Sequence, residues 1–125
     1  MKSLGSLPAL IVCAALLPLC GCTSEQEKLE DVYGKAAEAI EAGDMTTAIS
    51  LLDQLIEARP QPGLYLERAQ AKLKAGDEAG ATADCKEGLK LESDNRDLKW
   101  LLAEIKKDAK QRFKGKNQQP PGRSK

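Results

Sequence analysis

The sequence predicts an all-α chain of two stacked helical hairpins followed by one further helix. Three observations carry that expectation. Residues 43–60 read G-D-M-T-T-A-I-S-L-L-D-Q-L-I-E-A-R-P, and residues 76–93 read G-D-E-A-G-A-T-A-D-C-K-E-G-L-K-L-E-S, an echo offset by thirty-three residues. Self-similarity at that period is the mark of stacked helical hairpins. The composition offers little to a strand-rich fold, with one Phe, two Tyr and one Trp, while Ala, Leu, Glu and Lys suit helices. Apolar residues also recur at spacings of three and four along most of the chain, the period of a one-sided helix.

The stripes can be taken in order. Leu29, Val32, Tyr33, Ala36, Ala37 and Ile40 form the first, and Gly43-Asp44 breaks it. Asp44 can cap the next helix through its side-chain oxygen. Ala48, Ile49, Leu52, Leu55 and Ile56 form the second, closed by Pro60 and Pro62. Leu64, Tyr65, Leu66, Ala69 and Leu73 form the third, and Gly76-Asp77 repeats the turn and cap. Ala81, Cys85, Leu89 and Leu91 form the fourth, with Gly80 and Gly88 inside it, each expected to cost about 1 kcal/mol against alanine. Ser93-Asp94-Asn95 signals a turn and N-cap. Leu98, Leu101, Leu102, Ile105 and Ala109 form the fifth stripe.

Formal charge sums to zero but is unevenly placed. Residues 22–104 hold ten basic and eighteen acidic side chains, and residues 105–125 hold eight basic and one acidic. An acidic body therefore carries a basic end. There is no histidine, which removes the commonest general base and metal ligand. No G-x-S-x-G, Walker loop or metal-spaced cysteines occur. The expectation is a chain that is not an enzyme, with no metal and no cofactor. Cys85 reads either as a redox-active or disulfide-linking thiol or as a small apolar residue of the core. The carboxylates read as solvated helix faces.

The first twenty-one residues are a leader. Lys2 supplies positive charge, and Leu7 to Leu19 is an apolar run interrupted by Pro8 and Pro18, too short to span a bilayer. It ends in Leu19-Cys20-Gly21-Cys22, which resembles the lipobox of bacterial lipoproteins. The resemblance implies cleavage before Cys22 and acylation of that residue. Cys20 fits less well, because bulky Leu19 would precede the cut. The alternative is an ordinary signal peptide. One acyl chain anchors only marginally, at about 0.8 kcal/mol per buried methylene; the several chains of a lipoprotein cysteine would hold the protein at the membrane. Thr23 stands where an aspartate tends to retain such proteins at the inner membrane of Gram-negative bacteria. The resemblance thus implies an outer-membrane anchor with the domain facing the periplasm. Residues 23–28 are expected as a polar tether reaching at most roughly 20 Å.

The two hairpins resemble tetratricopeptide repeats (TPRs). That family ends each repeat in A-x3-F followed by a proline, with an aromatic and a small residue earlier. The first copy supplies Ala48, Leu52 and Pro60; the second supplies Tyr65, Ala69, Ala81 and Cys85, with Ser93 in place of the proline. Val32 and Lys35 depart from the pattern. The resemblance implies two TPR hairpins plus a C-terminal capping helix, an α-solenoid fragment. The expected divisions are a leader over 1–21, a lipidated cysteine and tether over 22–28, the two repeats over 29–95, the cap over 96–112 and a basic disordered tail over 113–125.

The first helix of each TPR lines a groove. Carried over by position, this implies a partner-binding groove of Tyr33, Ala37, Ile40, Leu66, Gln70, Leu73, Trp100 and Leu101, an apolar strip with an acidic fringe. Ile40 and Leu73 read equally as core, and Trp100 as cover for the end of the core. Lysines and asparagines clamp chaperone C-terminal carboxylates in this family. Tyr33, Ala37, Leu66 and Gln70 occupy those positions, so that role is rejected. The leading expectation is a non-enzymatic scaffold or adaptor lipoprotein. Its groove would hold another cell-envelope protein in envelope, secretion or pilus assembly, and acylated Cys22 would hold the membrane. The alternative is a self-associating structural lipoprotein, a weak homo-oligomer. The basic tail reads as a solubilising end, a contact for anionic lipid, or a contact for an acidic partner or peptidoglycan. Nucleic acid is not expected as a partner.

Overall fold

Among the described residues five helices follow one another: α1 (Cys22–Ala42), α2 (Met45–Ala58), α3 (Pro62–Lys74), α4 (Glu78–Leu91) and α5 (Arg96–Ile105). They come from a computed structural model that describes residues 22–114 and residue 121. The leader expected over 1–21 and most of the tail expected over 113–125 lie outside the described residues. No strand occurs among the described residues, so the chain is all-α. Each helix packs on the next in sequence, and α3 also reaches α5.

The thirty-three-residue echo is a repeat of backbone geometry. Helices α2 and α4 are both fourteen residues long, and their starts differ by that offset. Gly43 (φ 79°) and Gly76 (φ 89°) lie in the left-handed region, where a side chain would be strained. That conformation lets Asp44 N–H reach back to the Ala39 carbonyl at 2.9 Å, and Asp77 N–H to that of Lys72 at 2.8 Å. These bonds satisfy carbonyls left over at the helix end. Each aspartate then starts the next helix: Asp44 Oδ1 accepts from Thr47 N–H at 3.1 Å, and Asp77 Oδ1 from Gly80 N–H at 2.8 Å. One Gly-Asp pair therefore closes one helix and opens the next. Asn95 caps the start of α5, accepting from Leu98 N–H at 2.9 Å.

Two apolar clusters fill the layers. Ala36, Leu52 and Leu55 form one, with Leu29, Val32, Ile40, Leu51 and Leu64 against it. Ala69, Ala81, Cys85, Leu98, Leu101 and Ile105 form the other. The small residues Ala36, Ala48, Ala69 and Ala81 are all buried, where they let neighbouring helices approach closely. Gly88 belongs with them. A Cβ built there would lie 2.6 Å from Leu98 Cδ1 and 3.1 Å from Tyr65 Cβ. The glycine costs α4 helix propensity, but it lets α4 nest between α3 and α5.

Two boundaries differ from expectation. Residues 22–28, expected as a tether, are helical and form the first turns of α1. Ser24, Glu25, Gln26, Glu27 and Lys28 are polar, but none breaks a helix, and the Gln26 side chain accepts from Arg59 Nη2 at 3.3 Å. The closing helix, expected over 96–112, stops at Ile105. Arg112 stops it by folding back: Nη2 donates to the Ile105 carbonyl at 2.9 Å and Nε to that of Lys107 at 3.0 Å. The same guanidinium takes both oxygens of Glu78 at 2.6 and 2.8 Å, a bidentate pair of the strong kind. Residues 106–114 thus form a hook that ties the end of α5 to the start of α4.

Candidate partner-binding face

Tyr33 of α1 is 44% exposed, and its hydroxyl donates to Glu67 Oε1 of α3 at 2.8 Å. That contact links the first helices of the two hairpins across their shared face. Beside it opens a cleft of about 230 Å³, lined by Gln26, Leu29, Glu30, Tyr33, Leu55, Arg59, Gln61 and Leu64. Its residues come from α1, the end of α2, the Pro60 turn and the start of α3. Leu29, Leu55 and Leu64 give it apolar walls. Gln26, Glu30, Arg59 and Gln61 supply hydrogen-bonding groups around them. Small-molecule sites usually run from about 300 to 1,000 Å³ and enclose most of their ligand. A smaller, open cleft with apolar walls and a polar rim is better matched to anchoring side chains of a peptide segment.

Of the eight residues expected to line a groove, only Tyr33 touches this cleft. Ala37 is exposed one turn further along α1, and Gln70 is half-buried on α3. Ile40 packs on the first cluster, and Leu66, Leu73 and Trp100 pack on the second, all partly buried. Leu101 does not belong to any surface groove. It is 1% exposed and sits within the second cluster. Its spacing explains why: Leu98, Leu101 and Ile105 share one side of α5 and form its buried stripe. The cleft's other walls were not legible as a site. Pro60 and Pro62 mark the turn, but nothing local shows that Arg59 and Gln61 would face Gln26 and Leu29.

Trp100 is held by the hook rather than left open. Its ring lies 5.6 Å from that of Phe113 at an interplanar angle of 49°, a favourable tilted arrangement. Its Nε1 is buried without a hydrogen-bond partner among the described residues. Glu104 is 1% exposed. Its carboxylate pairs with Lys107 Nζ and accepts from Phe113 N–H at 2.9 Å. The Lys107 hydrogen bond holds the Glu104 carboxyl below the ordinary glutamate range, against the opposing effect of burial. Arg112 does the same for Glu78.

An ionic network that the sequence pattern did not reveal joins α3 to α4 and α2. Arg68 donates to Asp84 through Nε and Nη2 at 2.9 and 2.6 Å and to Asp53 through Nη1 at 2.5 Å. Lys72 Nζ is 2.9 Å from Asp84. The Asp84 side chain is 4% exposed, so its charge is offset by two cations rather than by water. Burial disfavours the Arg68 charge, but the bonds to Asp84 and Asp53 outweigh it and raise the guanidinium's pKa. Arg68 also lies 5.5 Å from the Tyr65 ring centre, within cation–π range. Arg68 and Lys72 stand one helical turn apart, the one local hint of the network.

Cys85 is fully buried in the second cluster. Burial, with the neighbouring Asp84 charge, pushes its thiol up to about 11. Reactive cysteines have lowered values and access to solvent, so this one is a core residue.

No helix among the described residues is long and apolar enough to cross a membrane. Comparison of the chain with protein-family models, with curated proteins and with solved structures finds no match.

Proposed function

We propose that the chain is a membrane-anchored adaptor that holds one segment of another cell-envelope protein against its α1–α3 face. In this reading the two hairpins are tetratricopeptide repeats, α5 with its hook is their cap, and acylated Cys22 is the anchor. The thirty-three-residue recurrence of helix length, left-handed glycine and aspartate cap supports the repeat assignment. The Leu19–Cys22 motif supports the anchor. The observation that carries the binding role is the cleft at Leu29, Tyr33, Leu55 and Leu64. It suits an amphipathic or extended segment with apolar anchors and hydrogen-bonding groups for Arg59 and Gln61. Nothing in this reading calls on chemistry by the chain, and its work is to hold and position.

The test is affinity capture from membranes with the wild-type chain and with Leu64→Lys, which places a charge in the cleft wall. The expected result is one envelope protein captured by the wild type and lost with Leu64→Lys, while helical content by circular dichroism is unchanged. Equal capture by both would remove the cleft from the account.

A further inference from the structure

Helix α1 carries a stripe of carboxylates on the side away from the core. At about 100° per residue, Glu27, Glu30, Asp31, Glu38 and Glu41 fall within one stripe of α1. Gly34 lies at its middle, and all six residues are exposed. Buried Ala36 lies on the opposite side of the helix. Lys35, at the edge of the stripe, pairs with Asp31 at 2.7 Å. The last helix has the reverse sign. Arg96 and Lys99 of α5, with Lys106 at its C-cap, form one exposed stripe with Ala103 between them, opposite the buried Leu98, Leu101 and Ile105. Lys99 has one weak partner, Asp94 at 3.6 Å, whose side chain is itself almost wholly exposed. Lys110 and Lys114 in the hook add exposed positive charge at the same end.

These stripes lie on the first and last helices of the stack. Helix α1 packs chiefly on α2, and α5 packs on α4 and α3, so among the described residues each has an outward side without a neighbouring helix. A solenoid places such sides at opposite ends of its axis.

We infer that copies of this chain associate head to tail, the acidic stripe of α1 in one copy seated on the basic stripe of α5 in the next. Gly34 and Ala103, each at the centre of its stripe, allow the two helices to approach while the longer charged side chains pair around them. Such an interface is heterologous: both surfaces are used once per copy, so it builds rows or rings rather than closed pairs. Exposed ion pairs contribute little singly and are screened by salt. The row would therefore form on a crowded surface and dissolve in salt. The inference does not rest on the cleft, and either can fail alone.

The test uses the full chain as an equal mixture of isotopically light and heavy copies, treated with a zero-length carbodiimide crosslinker. Mass spectrometry then reads light–heavy joins between α1 carboxylates and Lys99 of α5 or Lys106 just beyond it. One variant reverses the acidic stripe outside the cleft (Glu27→Lys, Glu38→Lys, Glu41→Lys), leaving Glu30, which also lines the cleft, unchanged. A second reverses the basic stripe (Arg96→Glu, Lys99→Glu, Lys106→Glu). Each reversed variant alone should lose association by about tenfold or more, the sum of several weak pairs. Mixing the two reversed variants should restore it, because each then offers the other a complementary stripe; sedimentation reads this arm. High salt should weaken the wild-type joins. Circular dichroism checks that the variants keep their helices, and the salt series on the wild type decides the matter if a variant does not fold. Absence of α1–α5 joins in the wild type, insensitivity of those joins to salt, or failure of the mixture to restore association would overturn the inference.

Discussion

Arg68 of α3 grips Asp84 of α4 with two guanidinium nitrogens, Nε to Oδ2 at 2.9 Å and Nη2 to Oδ1 at 2.6 Å. The pair spans the interface between the first and second helices of the second hairpin, and a third nitrogen ties α2 in through Asp53. Removing one member of a buried pair strands the other's charge, which costs about 3–5 kcal/mol. Asp84→Ala leaves Arg68 with the half-exposed Asp53 alone and removes the partner of Lys72, so its cost should lie toward the lower end of that range by chemical denaturation. Asp53 is about half exposed, and surface pairs contribute about 0–1 kcal/mol. Asp53→Ala should therefore be nearly neutral, and comparable losses at both sites would show that the network is not graded by burial.

Gly88→Ala sets helix propensity against packing. The exchange should help an isolated helix by about 1 kcal/mol, yet the new methyl would meet Leu98 and Tyr65. Overpacking costs about 1–3 kcal/mol. The expected net result is a less stable protein, read as a lower thermal midpoint. A raised midpoint would mean that α3 and α5 give way without cost.

The hook should loosen in acid. Glu104 has its carboxyl held below the ordinary glutamate value by Lys107. A depressed carboxyl adds stability that is fully present above the unfolded value, about 4.3, and is lost as pH falls through the folded value. Glu78, held down by Arg112, acts in the same direction. Phe113 packs on Trp100 and is bonded through its N–H to Glu104, so Trp100 fluorescence reads the change. An acid transition that is abolished or displaced in Glu104→Gln is expected. An identical transition in that variant would place the cause elsewhere.

Cys85 should resist alkylation. Its thiol, raised to about 11 and buried, is almost wholly protonated at neutral pH and out of reach. Labelling read on the Cys85 peptide should stay slow until denaturant unfolds the chain. Rapid labelling of the native protein would contradict its place in the core.

Much of the fold was legible because its determinants are local. Gly43-Asp44 and Gly76-Asp77 act within a few residues of themselves, so the turn, the cap and the repeat all show in the sequence. What escaped depends on contacts between distant residues. The end of α5 is set by Arg112 returning to Glu78, thirty-four positions away, so apolar spacing ran past Ile105 to Ala109. Leu101 was assigned to a groove by carried-over position, although its spacing with Leu98 and Ile105 already marked it as core. Asp84 looked like one more solvated carboxylate; only the stacking of α4 on α3 brings Arg68 and Lys72 to it. The cleft joins α1 to the Pro60 turn, and periodicity within one helix carries no information about such a meeting. Tyr33 is the one residue of the expected groove that also lines the cleft.

The most direct test of the adaptor reading places a photoreactive side chain at Tyr33, on the cleft, and in a parallel sample at Lys86, exposed on α4. Both are irradiated in intact cells. The account predicts one heterologous envelope protein joined at position 33 and absent at position 86. The same products from both positions, or none from position 33, would contradict it.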